Sequence, residues 1–179
     1  MGKFYKLFDS GLSIYSLYPI RYIDFVEFNC SSLIDSSGSK GFLIVQINDF
    51  ILINTHLQAS LSIYLDYTDI AFNQLKMILS YIKKHNFHKV LICGDFNLNL
   101  NTLKPDDNYN VITTKEPTHY ADYYSYFGLK TSATYLENLN GYFYDGGLYK
   151  NMIIKNIETV IDDIYSDHKG VMFEIISFN

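Results

Sequence analysis

The sequence predicts an α/β (α+β) domain in which two mixed β-sheets pack face to face with helices on the outside. Three observations predict it. Two β-rich runs, "KGFLIVQI" and "FILINTHL", flank the polar pair Asn48-Asp49, as the two arms of a hairpin would. Leu75, Ile78, Leu79 and Ile82 recur at helical spacing, and the strand candidate "KVLICGDF" follows at once. From residue 131 onward the chain then breaks into short strand candidates.

Taken in order, "GLSIYSLYPI" (11–20) alternates loosely and stops at Pro19, as a strand would. The hairpin comes next, and residues 69–84 form the helix, with Thr68 or Asp69 to cap its start. Lys83 and Lys84 suit the negative end of its dipole. Residues 99–118 are polar, carry Pro105 and Pro117, and read as a long surface loop. "YADYYSYFG" is a short helix candidate closed by Gly128. "TSATYL", "YFYDGGLYK", "IIKNIETVI" and "HKGVMFEIISF" complete the strand candidates. No repeat or low-complexity linker divides the chain, so residues 1–179 read as one domain, and the 48% hydrophobic content suits a real core.

Composition narrows the partners. The net charge is -5 and Arg21 is the only arginine. A protein that grips nucleic acid neutralises several phosphates with Lys and Arg, so a duplex partner is disfavoured. Cys30 and Cys93 form neither a disulfide framework nor a zinc-ligand pattern, and Cys93 sits in an apolar strand as a small hydrophobe. The first residues lack the apolar core of a signal peptide, and no run reaches the ~18 apolar residues of a membrane span. "MGKFYK" lacks the Ser or Thr that a myristoylation signal carries at the sixth position. The expectation is a soluble intracellular, cytoplasmic protein without a transmembrane segment.

The chemistry-bearing residues fall in three clusters, each at the end of a strand candidate: "NTHLQA" (54–59), "GDFN" (94–97) and "YSDHKG" (165–170). In "LICGDFNLN" the apolar strand ends in Gly94, and period two puts Asp95 and Asn97 on one side of the chain. Two oxygen-bearing groups aimed at one point can hold a hard cation or a phosphate. Gly, Asp and Asn also favour turns, which is the plainer reading of those nine residues. An adjacent Asp-His pair such as Asp167-His168 can supply a metal ligand and a proton carrier.

These three boxes, in this order, resemble the endonuclease/exonuclease/phosphatase (DNase I-like) superfamily. "GLSIYSLYPI" resembles that family's "GLAIFSRYPI"-type strand, with Leu17 where a basic residue is usual, and "DGGLYK" (145–150) resembles its "IDYVLYK"-type strand. "KGFLIVQI" ahead of "THLQA" is most similar to the neutral sphingomyelinase branch. The resemblance implies a four-layered α/β sandwich lacking its first strands, Mg2+ or Mn2+ as cofactor, and hydrolysis of a phosphate ester. Sphingomyelin or another phospholipid at a membrane surface is the implied substrate. It further implies that Asp95 and Asn97 orient the attacking water and the phosphoryl oxygens, and that His168 is general base or proton relay. Asp145 would fix the His168 tautomer, His56 would donate to the phosphoryl oxygens, and Asp167 would bind metal together with Asp95. Thr134 would support the phosphate site beside Asn97 and His56.

This chain also departs from the family pattern. The family's early Asn and its "LQE"-type Glu, the principal metal ligand, have no counterpart, because the chain begins at about the third strand. Glu27, Glu116 and Glu137 lie outside any such box. Gly146-Gly147 replaces bulkier residues, which should weaken packing in that strand. "AFNQL" (71–75) lacks the basic residue often found ahead of its glutamine. Missing strands would leave an exposed sheet edge. A nuclease or an inositol or sugar phosphatase of the same superfamily, or a non-catalytic truncated remnant, are the alternatives.

Overall fold

The computed structural model describes residues 10–31, 38–60, 66–104, 108–115, 118, 143–160 and 168–178. The helix candidate around 120–128, the "TSATYL" strand, Thr134, Asp167, Glu116 and Glu137 all lie outside them.

The hairpin forms as the sequence predicts. Strand β2 (Gly41–Ile47) turns at Asn48-Asp49 into β3 (Phe50–His56), with Ile47 opposite Phe50. Asn48 takes a left-handed φ of 52°, which asparagine tolerates better than most residues. The helix α1 (Thr68–Lys84) then carries the chain over the sheet to β4 (Val90–Asp95), which lies parallel to β3. Parallel neighbours need such a crossover. Neither Thr68 nor Asp69 caps the helix; Asp66 does the work instead, its carboxylate accepting the Thr68 N–H at 2.9 Å. The cap lies upstream because a side-chain oxygen must precede the amides that it satisfies.

Two further strands were not legible. Residues 11–19 form no strand, and β1 (Ile20–Glu27) starts only after Pro19, antiparallel to β2. Proline cannot donate to a ladder, so it suits a strand's beginning better than its body. The segment before it satisfies its amides locally: Leu12 N–H donates to Ser10 Oγ and Tyr18 N–H to Ser16 Oγ. Within the supposed surface loop, β5 (Asn110–Ile112) pairs antiparallel with β6 (Asp145–Lys150). The sheet order is β1-β2-β3-β4-β6-β5. A second, antiparallel sheet is made of β7 (Met152–Val160) and β8 (Gly170–Phe178).

Alternation along the central strands sends side chains into two cores. On one face Phe42, Ile44, Ile53, Ile92 and Leu148 pack against Leu75, Ile78 and Ile82 of α1. On the other, Val45, Ile47, Leu91 and Ile112 pack with Met152 and Ile154 of β7, and with half-buried Val171, Phe173 and Ile175 of β8. Among the described residues, helix, large sheet and small sheet are thus three of the four expected layers. Gly146 and Gly147 do not loosen β6 as expected. A Cβ at Gly146 would lie 2.3 Å from the Ile112 carbonyl oxygen, so the glycine lets β5 close on β6.

Candidate active site

The candidate site is built by strand register. His56 pairs with Asp95 across β3 and β4, and Asp95 with Asp145 across β4 and β6, so three side chains stand in one row at one end of the sheet. Neighbours in register project to the same face. Period two along β4 puts Leu91 and Asp95 on one face, and Leu91 belongs to the core shared with the second sheet. The row therefore faces the second sheet, and His168, two residues ahead of β8, meets it there.

The close approach depends on Gly94. It has a φ of 137°, and a Cβ there would stand 1.9 Å from the Thr55 carbonyl oxygen. Only a residue without a side chain lets β4 run alongside β3 to the end of both strands.

The polar groups meet at Asp95. His168 Nδ1 lies 2.8 Å from Asp145 Oδ2, and its Nε2 lies 3.9 Å from Asp95 Oδ2. On the other side, His56 Nε2 lies 3.5 Å from the same oxygen, with its side chain half exposed. Asp95 Oδ1 accepts the Asn97 N–H at 2.8 Å. Asn97 has left the strand, with a φ of 48°, and its side-chain amide donates to the Leu57 carbonyl at 3.1 Å. So "GDFN" is a turn that also enters the polar cluster: Asn97 holds the Asp95 carboxylate and the segment after His56, where period two alone had only placed it beside Asp95.

Three supports surround the row. Phe96 N–H donates to the Tyr144 carbonyl at 2.8 Å, strapping the "GDFN" turn to the residue before Asp145. Buried Gln74 of α1 accepts the Gln58 N–H at 2.8 Å and donates to the Cys30 carbonyl at 2.8 Å, fixing the chain beyond His56. Thr118, completely buried, accepts the Asp145 N–H on its Oγ1 at 3.1 Å and the Lys169 N–H on its carbonyl at 2.8 Å. Sequence reading missed Thr118. A lone threonine after Pro117 in a polar stretch carries no periodic signal, and only the tertiary fold gives it partners.

Asp95, Asp145 and His168 offer ligand atoms all within 4.8 Å of one another. Two carboxylates and an imidazole suit a hard divalent cation such as Mg2+ or Mn2+ better than a thiophilic one. Thiolate chemistry is absent from this cluster. Desolvation pushes the nearby Cys93 thiol up to about 12, so it stays protonated at neutral pH although the residue as a whole is only partly buried.

No protein-family model and no curated protein sequence matches the chain. Solved structures do. Sphingomyelinase C from Streptomyces griseocarneus is similar at 17% identity and a TM-score of 0.53, over 87% of this chain and 64% of that one. A mutant of beta toxin from Staphylococcus aureus with bound magnesium ions shares 19% identity at a TM-score of 0.56, over 92% and 68%. D. rerio TDP2 complexed with a single-strand DNA product shares 14% at 0.58, over 85% and 66%. At these identities the likeness establishes the fold: the chain has the DNase I-like α/β architecture and spans about two thirds of the length of these proteins. No helix among the described residues is long and apolar enough to cross a membrane.

Proposed function

We propose that this chain hydrolyses a phosphodiester in a divalent-metal-dependent reaction, with sphingomyelin or a related phospholipid as substrate. The observation that carries the proposal is the placement of His168 between two carboxylates, Nδ1 on Asp145 and Nε2 toward Asp95. Asp145 accepts the Nδ1 proton, which makes Nε2 the atom that takes a proton from water or returns one to a leaving oxygen. Asp95, steadied by the Asn97 N–H, orients that water between the imidazole and the phosphorus. His56, half exposed at the rim, donates to a phosphoryl oxygen as charge grows on it. Asp95, with Asp145 and His168 close by and Asp167 next in sequence to His168, would hold Mg2+ or Mn2+, which supplies a positive charge that polarises the phosphoryl group. Thr134 remains assigned to the phosphate site by resemblance alone.

The choice of phospholipid rests on the "KG" and "THLQA" boxes together; the fold is shared by TDP2 and does not distinguish a lipid from DNA. The single arginine and the charge of -5 count against nucleic acid. The test is phosphocholine release from sphingomyelin vesicles with Mg2+, run beside single-stranded DNA and an inositol phosphate. Release that disappears in Asp95→Ala and in His168→Ala is the expected result. Full activity in either variant would overturn the assignment, and cleavage of DNA alone would make the chain a nuclease. Inertness toward all three substrates would leave a non-catalytic remnant.

A further inference from the structure

Asp145 and His168 reach each other from separate parts of the fold. Asp145 opens β6 in the large sheet, whereas His168 precedes β8 in the small one. Among the described residues no ladder joins the two sheets there: β6 pairs with β4 and β5, and β8 with β7. One residue bonds to both segments. Thr118 takes the Asp145 N–H on its hydroxyl and the Lys169 N–H on its carbonyl, and it is buried completely.

We propose that Thr118 is a positioning residue for the His168–Asp145 pair, a clamp that sets the 2.8 Å contact by holding the backbone of each partner. The inference rests on the hydrolase reading above for its catalytic consequence, but not for its structural one. The geometry gives the two bonds different weights. The carbonyl bond to Lys169 survives any side-chain substitution, whereas the hydroxyl bond to Asp145 is a property of Thr or Ser only. Without that hydroxyl, the part-buried Asp145 N–H loses its acceptor, and the start of β6 must shift or admit water to satisfy it. A shift there moves the carboxylate that selects the His168 tautomer. On the other flank the bond from Phe96 N–H to the Tyr144 carbonyl remains, so the disturbance falls on Asp145 and leaves Asp95 in place.

The test compares Thr118→Val, which keeps the shape and removes the hydroxyl, with Thr118→Ser, which keeps the hydroxyl. The first readout is the imidazole 15N spectrum of His168 in the full chain, assigned by its loss in His168→Gln. The wild type and Thr118→Ser should show the Nδ1–H tautomer, and Thr118→Val a mixture of both tautomers, as should Asp145→Asn. An unchanged Nδ1–H tautomer in folded Thr118→Val would overturn the proposal, whatever happens to the melting temperature. If the valine variant does not fold, hydrogen exchange on the wild type decides: the Asp145 and Lys169 amides should be protected and open together. Separate opening rates for the two would overturn the clamp. Where hydrolysis is measurable, kcat should fall about 10- to 100-fold in Thr118→Val with KM unchanged, and recover in Thr118→Ser. Absence of any hydrolysis in the wild type contradicts the hydrolase reading alone, because the tautomer and exchange readouts stand without it.

Discussion

On the helix side of the large sheet, Phe42, Ile44, Ile53, Ile92 and Leu148 have no exposed surface, and Ile78 of α1 closes over them equally well. On the side of the second sheet the cover is thinner. Val45, Ile47, Leu91 and Met152 keep 3 to 6% exposure, and Val171, Phe173 and Ile175 are only half buried. The outward face of that small sheet leaves Ile153, Met172 and Ile176 at 39 to 52%. All the polar residues of the row, His56, Asp95 and Asp145, lie on this thinner side. The difference teaches a division of labour: one face holds the sheet together, and the other leaves room at its end for side chains that, on the proposed function, must meet water and a substrate.

The largest effect should come where the two roles coincide. Gly94→Ala drives a methyl group into the Thr55 carbonyl, so it should lower both the melting temperature and any hydrolysis, measured on one preparation. A fully stable, fully active Gly94→Ala protein would show that the end of β4 tolerates displacement. Next, Ile78→Ala on the helix face should cost roughly 2–5 kcal/mol in denaturant unfolding, while the surviving folded fraction keeps its specific activity. Asp145→Asn should give the mirror image, a loss of rate with a melting temperature near that of the wild type. If Asp145→Asn destabilised the chain as much as Ile78→Ala, the separation of the faces would fail.

The smallest effect belongs to Asp66, exposed just before α1. Its carboxyl is held below the usual carboxylate range by hydrogen bonds from Thr68 and Ser60. A lowered folded pKa contributes stability above the unfolded value of about 3.9, and the contribution disappears as pH falls through the folded value. Asp66→Ala should therefore be slightly less stable than the wild type at neutral pH, and thermal melts of the two should converge at acid pH. A gap that widened on acidification would mean that Asp66 acts in some other way.

What the sequence made legible follows the range of the forces involved. The turn at Asn48, the helix at 68–84 and the end of β4 are local, and each carries its own periodic or turn signal. Asp95, His56, His168 and Asp145 were legible because their boxes resemble a known set; register then set His56, Asp95 and Asp145 in one row, and His168 meets it from the second sheet. Residues 11–19 misled because loose alternation cannot say whether a partner strand is present; their amides turn to Ser10 and Ser16 instead. Thr118 and the short strand at 110–112 have no local signal at all. Both are defined by partners on β6, which no window of neighbouring residues contains.

The proposed function makes the row on the thinner face a metal-dependent phosphodiester-cleaving site. The most direct test is the initial rate of bis(p-nitrophenyl) phosphate hydrolysis against Mg2+ concentration, for the wild type and Asp95→Asn. A rate that saturates with Mg2+ in the wild type, and is lost in Asp95→Asn while the melting temperature holds, is the expected result. A rate independent of Mg2+, or equal in the two proteins, would contradict it.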